Sequence, residues 1–309
     1  MADTLHTVIA EVDAPSETLA AAARERLSGR DGLGRIGELA VRLAAIRGSA
    51  LAPVDRKMVI ACAADHGCAP DASAAAAAAE IASGSAVVNV LARSAGAQVT
   101  VVDCGVRDPV ALPEGVARLA VAPGTADIGA GPAMSRDHAV TALETGIALV
   151  LTLGGSGLDA IALGQVGDGG PRAASALVDA LASELSVDGA VDVLARTGGL
   201  DLGVMAGACV AASAMRIPIV LDGAVAPAAA LLAMRLAPHV AGHVIAGHAG
   251  VTDADRTALA ALGVDPLLDL HIAAPGGAGA AAALPVLDAA SRLLREPAAN
   301  RRLRMVRDD

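Results

Sequence analysis

Met58-Val59-Ile60-Ala61-Cys62-Ala63-Ala64-Asp65-His66-Gly67 is an apolar run that ends on an aspartate with a glycine just beyond it. The pattern occurs twice more: Val99 to Val102 passes into Asp103-Cys104-Gly105, and Ile217 to Leu221 into Asp222-Gly223. A strand covered by helices on both faces reads as a continuous hydrophobic run, so these are the ends of buried parallel strands. Open α/β sheets bind their ligands just outside such carboxyl ends. The three aspartates therefore mark the neighbourhood of a site. Each also has a plainer reading, as a cap that satisfies the free N–H groups of a following helix or turn.

On both sides of these runs, helical and strand patterns alternate. Amphipathic helices fit Pro15 to Leu27 and Ile36 to Ile46. Helix formers fill Ala74 to Ala79 and Ile81 to Ala95, broken by Ser83-Gly84-Ser85, and Ser135 is placed to cap a helix running to about Leu151. Further strands are expected at Val116 to Val121, Leu158 to Leu163 and His243 to Ala246. Further helices are expected at Arg172 to Leu185, Gly189 to Ala195, Leu200 to Ala214, Pro227 to Leu236, Thr252 to Leu262 and Gly279 to Leu294. Such alternation predicts an α/β fold, a doubly wound and mostly parallel sheet. The last helix is expected to return to the first ones. That gives N-terminal helices over 1–50, an α/β core over 51–279 and a C-terminal helix with a basic tail over 280–309, the two termini together forming a small helical subdomain.

A chain of 309 residues with 54% hydrophobic residues can bury a large core. No run reaches the roughly 18–20 uncharged apolar residues of a membrane span, and the start of the chain lacks the pattern of a signal peptide, so a cytoplasmic protein is expected. The net charge of −10 opposes nonspecific binding to nucleic acid or to an anionic membrane surface. The arginines at 292, 295, 301, 302, 304 and 307 read as a solvated tail. The four cysteines, Cys62, Cys68, Cys104 and Cys209, form no C-x-x-C pair and read as small apolar residues. Phe, Tyr and Trp are absent altogether. The core must therefore pack tightly from small aliphatic side chains, and a partner subunit is expected to add buried area.

Two glycine-rich turns precede helices. Gly164-Gln165-Val166-Gly167-Asp168-Gly169-Gly170-Pro171 could cradle a phosphate, with Arg172 to fork onto its oxygens, or could be a structural turn. Pro275-Gly276-Gly277-Ala278-Gly279 could also hold an anion but has no side chain able to move a proton. His239, His243 and His248 lack the spacing of a metal site, and no metal is expected.

Six segments together resemble the nicotinate-nucleotide:dimethylbenzimidazole phosphoribosyltransferases of cobalamin synthesis. They are Ala64-Asp65-His66-Gly67, Asn89 to Ala97, Gly131-Pro132-Ala133-Met134-Ser135, Gly198-Gly199-Leu200-Asp201, Leu221-Asp222-Gly223 and Asp265 to His271. They follow the family's order and span nearly the whole chain. The resemblance implies a homodimer that needs no metal or other cofactor. It also implies a glycosyl transfer in which a benzimidazole nitrogen attacks the ribose of nicotinate mononucleotide, releasing nicotinate and forming α-ribazole phosphate. The substrate-binding positions it suggests are Asp65, His66, Gly67, Gln165, Gly167, Gly169, Gly170, Arg172, Gly198, Gly199, Asp222, Gly223, His248, Gly276, Gly277 and Gly279.

The chain departs from the family pattern where a glutamate serves as general base. That position aligns with Gly276, and Gln165 stands where a second family carboxylate is expected. Asp65, Asp103, Asp168 and Asp222 are the candidate replacements. The loop after Asp65-His66-Gly67 has become an alanine tract, Pro171 removes a donor from the phosphate turn, and a glycine-rich loop expected between Leu177 and Val191 is missing. Two readings follow: a phosphoribosyltransferase of reduced activity, or a silent paralogue that binds a small ligand or a partner subunit.

Overall fold

The structure is a computed structural model that describes residues 2–182 and 186–296. Six strands, β1 (Lys57–Ala64), β2 (Ala97–Gly105), β3 (Val116–Arg118), β4 (Ala160–Val166), β5 (Ile219–Leu221) and β6 (Val244–Ala246), form one sheet in the order β3-β2-β1-β4-β5-β6. Every neighbouring pair is parallel. The expected doubly wound sheet is thus present. Strand order reverses between β1 and β4, which places the topological switch point, where such sheets form their binding crevice, at Asp65 and Gly167.

The side chains of each strand alternate between two cores. Ile60, Cys62, Leu163 and Leu221 face one core, under helices Arg136–Gly155, Gly170–Ala180, Leu200–Ala214 and Val225–Leu236. Val59, Ala61, Ala162 and Val220 face the other, under helices Gly34–Arg47, Ala75–Ala82, Val87–Ser94 and Ala278–Arg295. The last helix lies against Gly34–Arg47 and Glu17–Leu27, and Arg26 and Arg30 donate to the carbonyls of Leu294 and Leu293 at its end. A helix that the sequence pattern did not reveal, Ala2–Ala10, packs instead on the opposite face, against Arg136–Gly155 and Leu200–Ala214.

Without aromatic rings, the core closes by bringing backbones together. Helices Arg136–Gly155 and Leu200–Ala214 touch so closely that a Cβ on Gly146 would overlap the Val204 carbonyl, and one on Gly207 the Leu143 carbonyl. Two apolar stretches, Ala75–Ser94 and Arg136–Gly155, have the length and composition to cross a membrane. Here they supply core side chains such as Ile81, Val88, Leu143 and Ile147.

Both boundaries of β4 differ from the sequence reading. Strand β4 starts at Ala160 rather than Leu158, because the Asp159 carboxylate turns back to accept the N–H groups of Asp55 and Arg56 and the Arg47 guanidinium. It also continues past Leu163: Gly164, Gln165 and Val166 pair with Ala61, Cys62 and Ala63. The glycine at 164 is required by the turn at Gly276-Gly277, which lies directly on the strand, so that any Cβ there would overlap Gly277. Of the basic tail, Arg301, Arg302, Arg304 and Arg307 lie outside the described residues.

Candidate functional site

The sequence-predicted residues separate into two groups, one on each side of the β1 and β4 ends. The first surrounds a cavity of about 380 Å³. Gly164, Gln165, Gly167, Asp168 and Pro171 come from the end of β4 and the helix after it, and Asp222 and Gly223 from the end of β5. The segments 250–252 and 272–277 close it, with Ser73 and Ala77 on the β1 side. Pro171 sits in the first turn of helix Gly170–Ala180, where a missing N–H breaks no helical bond.

Three carboxylates line this cavity, and their surroundings differ. Asp255 closes a capping box with Thr252 and also accepts from Val251 N–H. Asp222 accepts the Gly279 N–H at 2.8 Å, at the start of helix Ala278–Arg295, and its other oxygen lies 3.8 Å from Nδ1 of His248. Burial pushes the Asp222 carboxyl above the usual carboxylate range, against the opposing pull of the Gly279 N–H and His248. Asp168 is exposed and makes no hydrogen bond or ion pair among the described residues. Gln165 is held in place: its side-chain amide donates to the Gly167 carbonyl at 2.8 Å, and its own backbone carbonyl receives the Gly276 N–H at 2.9 Å.

Gly276 lines the cavity with its backbone only. Its φ is +79°, and a Cβ there would come within 2.7 Å of the Ile81 side chain, so a larger residue in this conformation would point into the core and not at the cavity. At the position that the sequence aligns with the family's general base, the chain therefore presents only backbone to the cavity. Gly277 adopts the same left-handed conformation one residue later, and Gly279 must stay small because a Cβ would overlap Asp222.

The second group is closed. His66 and Asp201 form a pair at 3.1 Å with side chains 2% and 0% exposed. Asp201 also accepts the Leu202 N–H in the first turn of helix Leu200–Ala214, whose N-cap Gly199 directly follows Gly198, the C-cap of helix Val187–Thr197. Burial pulls the His66 imidazole down, but the charge and hydrogen bond of Asp201, helped by Asp65, outweigh it and raise its pKa. Around the ring, Gly199 and Gly169 leave no room for a Cβ. Gly67 packs on the backbone of Ala126 and Asp127, and Gly170 on the Gln165 amide. Arg172 points away from the cavity, toward the Asp127–Gly129 turn.

Three of the four candidate replacement bases are engaged by backbone N–H groups: Asp222, as described, and Asp65 and Asp103. Asp65 accepts from Ala74 N–H at 2.7 Å and Arg107 N–H at 2.8 Å, and Asp103 accepts from Val106 N–H. Both follow the capping reading. The sequence reading starts a helix at Thr252 but places neither Thr252 nor Asp255 in the site, although the Thr-x-x-Asp spacing of a capping box is there to be read. Asp201 lay inside a quoted motif, but no local signal pairs it with a histidine 135 residues away. Among the described residues, no group of His, Cys, Asp and Glu is arranged to hold a metal ion.

A family model described as Phosphoribosyltransferase matches residues 9–190 and 179–301. The chain belongs to the nicotinate-nucleotide:dimethylbenzimidazole phosphoribosyltransferase family. It is 35% identical over 342 positions to the enzyme of that name from Syntrophotalea carbinolica, an alignment covering 95% of this chain and 96% of the relative. The Chloroflexus aggregans enzyme is 39% identical over 308 positions, with 86% of each chain covered. An alignment of 342 positions that takes in 95% of a 309-residue chain means that the S. carbinolica relative carries segments absent here. The crystal structure of the family enzyme from Thermus thermophilus superposes with a TM-score of 0.83 at 32% identity, covering 90% of this chain and 96% of that one.

Proposed function

We propose that this protein is a phosphoribosyltransferase that moves the ribose phosphate of nicotinate mononucleotide onto a benzimidazole-type base in the cavity at the ends of β4 and β5. The observation that carries the reading is the position of that cavity: it lies beside the switch point of the sheet and is walled by the two glycine turns. We further propose that turnover is slow. At Gly276 there is no side chain to take the proton, and at Gln165 an amide bonded to Gly167 replaces a carboxylate. A proton acceptor held elsewhere than at the family's glutamate position is out of register with the substrates, and misplacement by about 1 Å can cost roughly a hundredfold.

The direct test is incubation with nicotinate mononucleotide and 5,6-dimethylbenzimidazole, following nicotinate release beside a relative that has the glutamate. A rate about a hundredfold or more below the relative's is the expected result. Turnover within tenfold of it refutes the slow-enzyme reading. No release above background, combined with binding of either substrate, supports instead the silent paralogue suggested by the bonded Gln165. The reading includes a cytoplasmic homodimer, supported by the ring-free core and by Val87 and Val90, which stand 53% and 51% exposed on helix Val87–Ser94. A single monomeric mass by light scattering across micromolar concentrations would refute that part.

A further inference from the structure

Behind Asp222, fully buried, lies a histidine with more donors than it can accept. The backbone N–H of Gly250 points at Nδ1 of His248 at 2.9 Å, and those of Leu270 and Ile272 both point at Nε2, at 3.1 and 3.3 Å. A neutral imidazole has one accepting nitrogen and one N–H, and an imidazolium has no acceptor. His248 cannot accept on both sides. Two donors converge on Nε2 because His271, between them, takes a left-handed φ of 55°, a conformation disfavoured for a residue with a side chain. Amides that converge on one point in this way form a nest that demands an electron pair. The lone pair therefore belongs at Nε2 and the proton at Nδ1.

At Nδ1 that proton meets two neighbours. One is the Gly250 N–H, which cannot accept it. The other is Oδ1 of Asp222 at 3.8 Å, which can after a shift of under about 1 Å into hydrogen-bond range. Gly223 and Gly250 flank the two groups with φ of +67° and +71°, left-handed conformations that favour glycine. Of the other carboxylates nearby, Asp168 lines the same cavity without a partner among the described residues, and two more are engaged. Asp255, packed against Gly250, accepts from Val251 and Thr252, and Asp269 pairs with His271 at the surface.

We propose that Asp222 is the proton acceptor of this chain and that His248, as the Nδ1–H tautomer, is the positioning residue that holds its carboxylate toward the cavity. The inference rests on the transferase reading above. In the step it serves, the lone pair of one azole nitrogen bonds to the anomeric carbon. The bond from that carbon to the nicotinate nitrogen breaks, and its electron pair leaves with nicotinate. The proton on the other azole nitrogen passes to Oδ1, leaving its pair in the azole ring. The other oxygen stays on the Gly279 N–H. Burial, which raises the affinity of Asp222 for a proton, suits an acceptor working near neutral pH.

The test combines kinetics with ¹⁵N NMR of the histidine rings, His248 being assigned by its disappearance in His248→Gln. The expected spectrum shows Nδ1 protonated and Nε2 bare. In nicotinate release across pH, Asp222→Asn should lose about a hundredfold in kcat with little change in KM, and at least tenfold more than Asp168→Asn. His248→Gln should lose about tenfold in kcat and move the acid limb of the profile to higher pH, because the donor that favours the carboxylate is gone. A merely structural role would lower the profile without moving its limb. An Nε2–H tautomer, an unmoved limb, or a loss that falls on Asp168→Asn and spares Asp222→Asn overturns the proposal. If Asp222→Asn fails to fold, as its melting curve would show, the spectrum and the His248→Gln profile still decide. Wild-type protein that releases no nicotinate overturns the transferase reading and the acceptor role with it, while the spectrum separately settles which nitrogen carries the proton.

Discussion

At the carboxyl ends of β1 and β4 the molecule holds two polar regions, one on each side of the strands, and they are built on opposite plans. The His66–Asp201 pair is sealed by Gly169 and Gly199, and both partners are almost wholly buried. The cavity beside Asp168 and Asp222 is open, and Asp168 has no partner among the described residues. Nδ1 of His66 is buried without a hydrogen bond, so even the sealed region is not fully satisfied. The contrast teaches that polar residues at strand ends are placed in two ways here: one set locks loops to the sheet, and the other lines an open cavity. If that division is right, substitutions in the first should act on stability and substitutions in the second on activity.

The largest effect on stability should come from Asp201→Asn. The amide removes the charge that His66 faces and weakens a hydrogen bond between two buried groups, which costs about 1–3 kcal/mol. Denaturant unfolding should show it, and a loss below about 1 kcal/mol would mean that the sealed region is not the lock described here. Gly276→Glu comes next. The left-handed backbone and the contact with Ile81 predict a loss of about 1–3 kcal/mol, and nicotinate release should stay far below that of glutamate-bearing relatives because the new carboxylate does not face the cavity. Family-like turnover in this single variant would show that the turn rearranges freely.

A smaller effect concerns pH. The folded-state pKa of His66 is raised above the ordinary 6.5, so the folded protein holds the proton more tightly than the unfolded chain. The resulting stability is fully present below about pH 6.5 and is lost as pH rises through the folded value. The gap in melting temperature between wild type and His66→Gln should therefore narrow from mildly acid to alkaline pH. A gap that widens instead would place the neutral imidazole in the native state. The smallest effect is expected for Asp168→Asn, whose stability should stay within about 0.5 kcal/mol of wild type since nothing in the fold leans on that side chain.

How much of this was legible in the sequence depends on the range of the interaction. The strand runs and their terminal aspartates located the sheet and its functional end, because continuous apolar runs and strand-end turns are local signals. The capping roles of Asp65 and Asp103 were also foreseen as alternatives, but only the folded chain shows which aspartates are engaged. Three features depended on distant parts of the chain. The extension of β4 through Gly164 requires a turn more than a hundred residues later. The His66–Asp201 pair joins two loops, and the donor surplus at His248 arises from a backbone conformation at His271 that no composition rule predicts. The direction of a Cβ at Gly276 was likewise invisible, since aligning a position says nothing of its φ.

The ring-free core also decides how this protein can be watched. A chain without Trp, Tyr or Phe has almost no near-ultraviolet absorbance and no intrinsic fluorescence of its own. Nicotinate and benzimidazoles are themselves aromatic chromophores, so in a titration nearly all of the signal in that window comes from the ligand. Entry of a benzimidazole into the proposed cavity, whose walls carry no aromatic ring, would then be followed directly from its own emission, with almost no protein background to subtract and no energy transfer from neighbouring rings to correct.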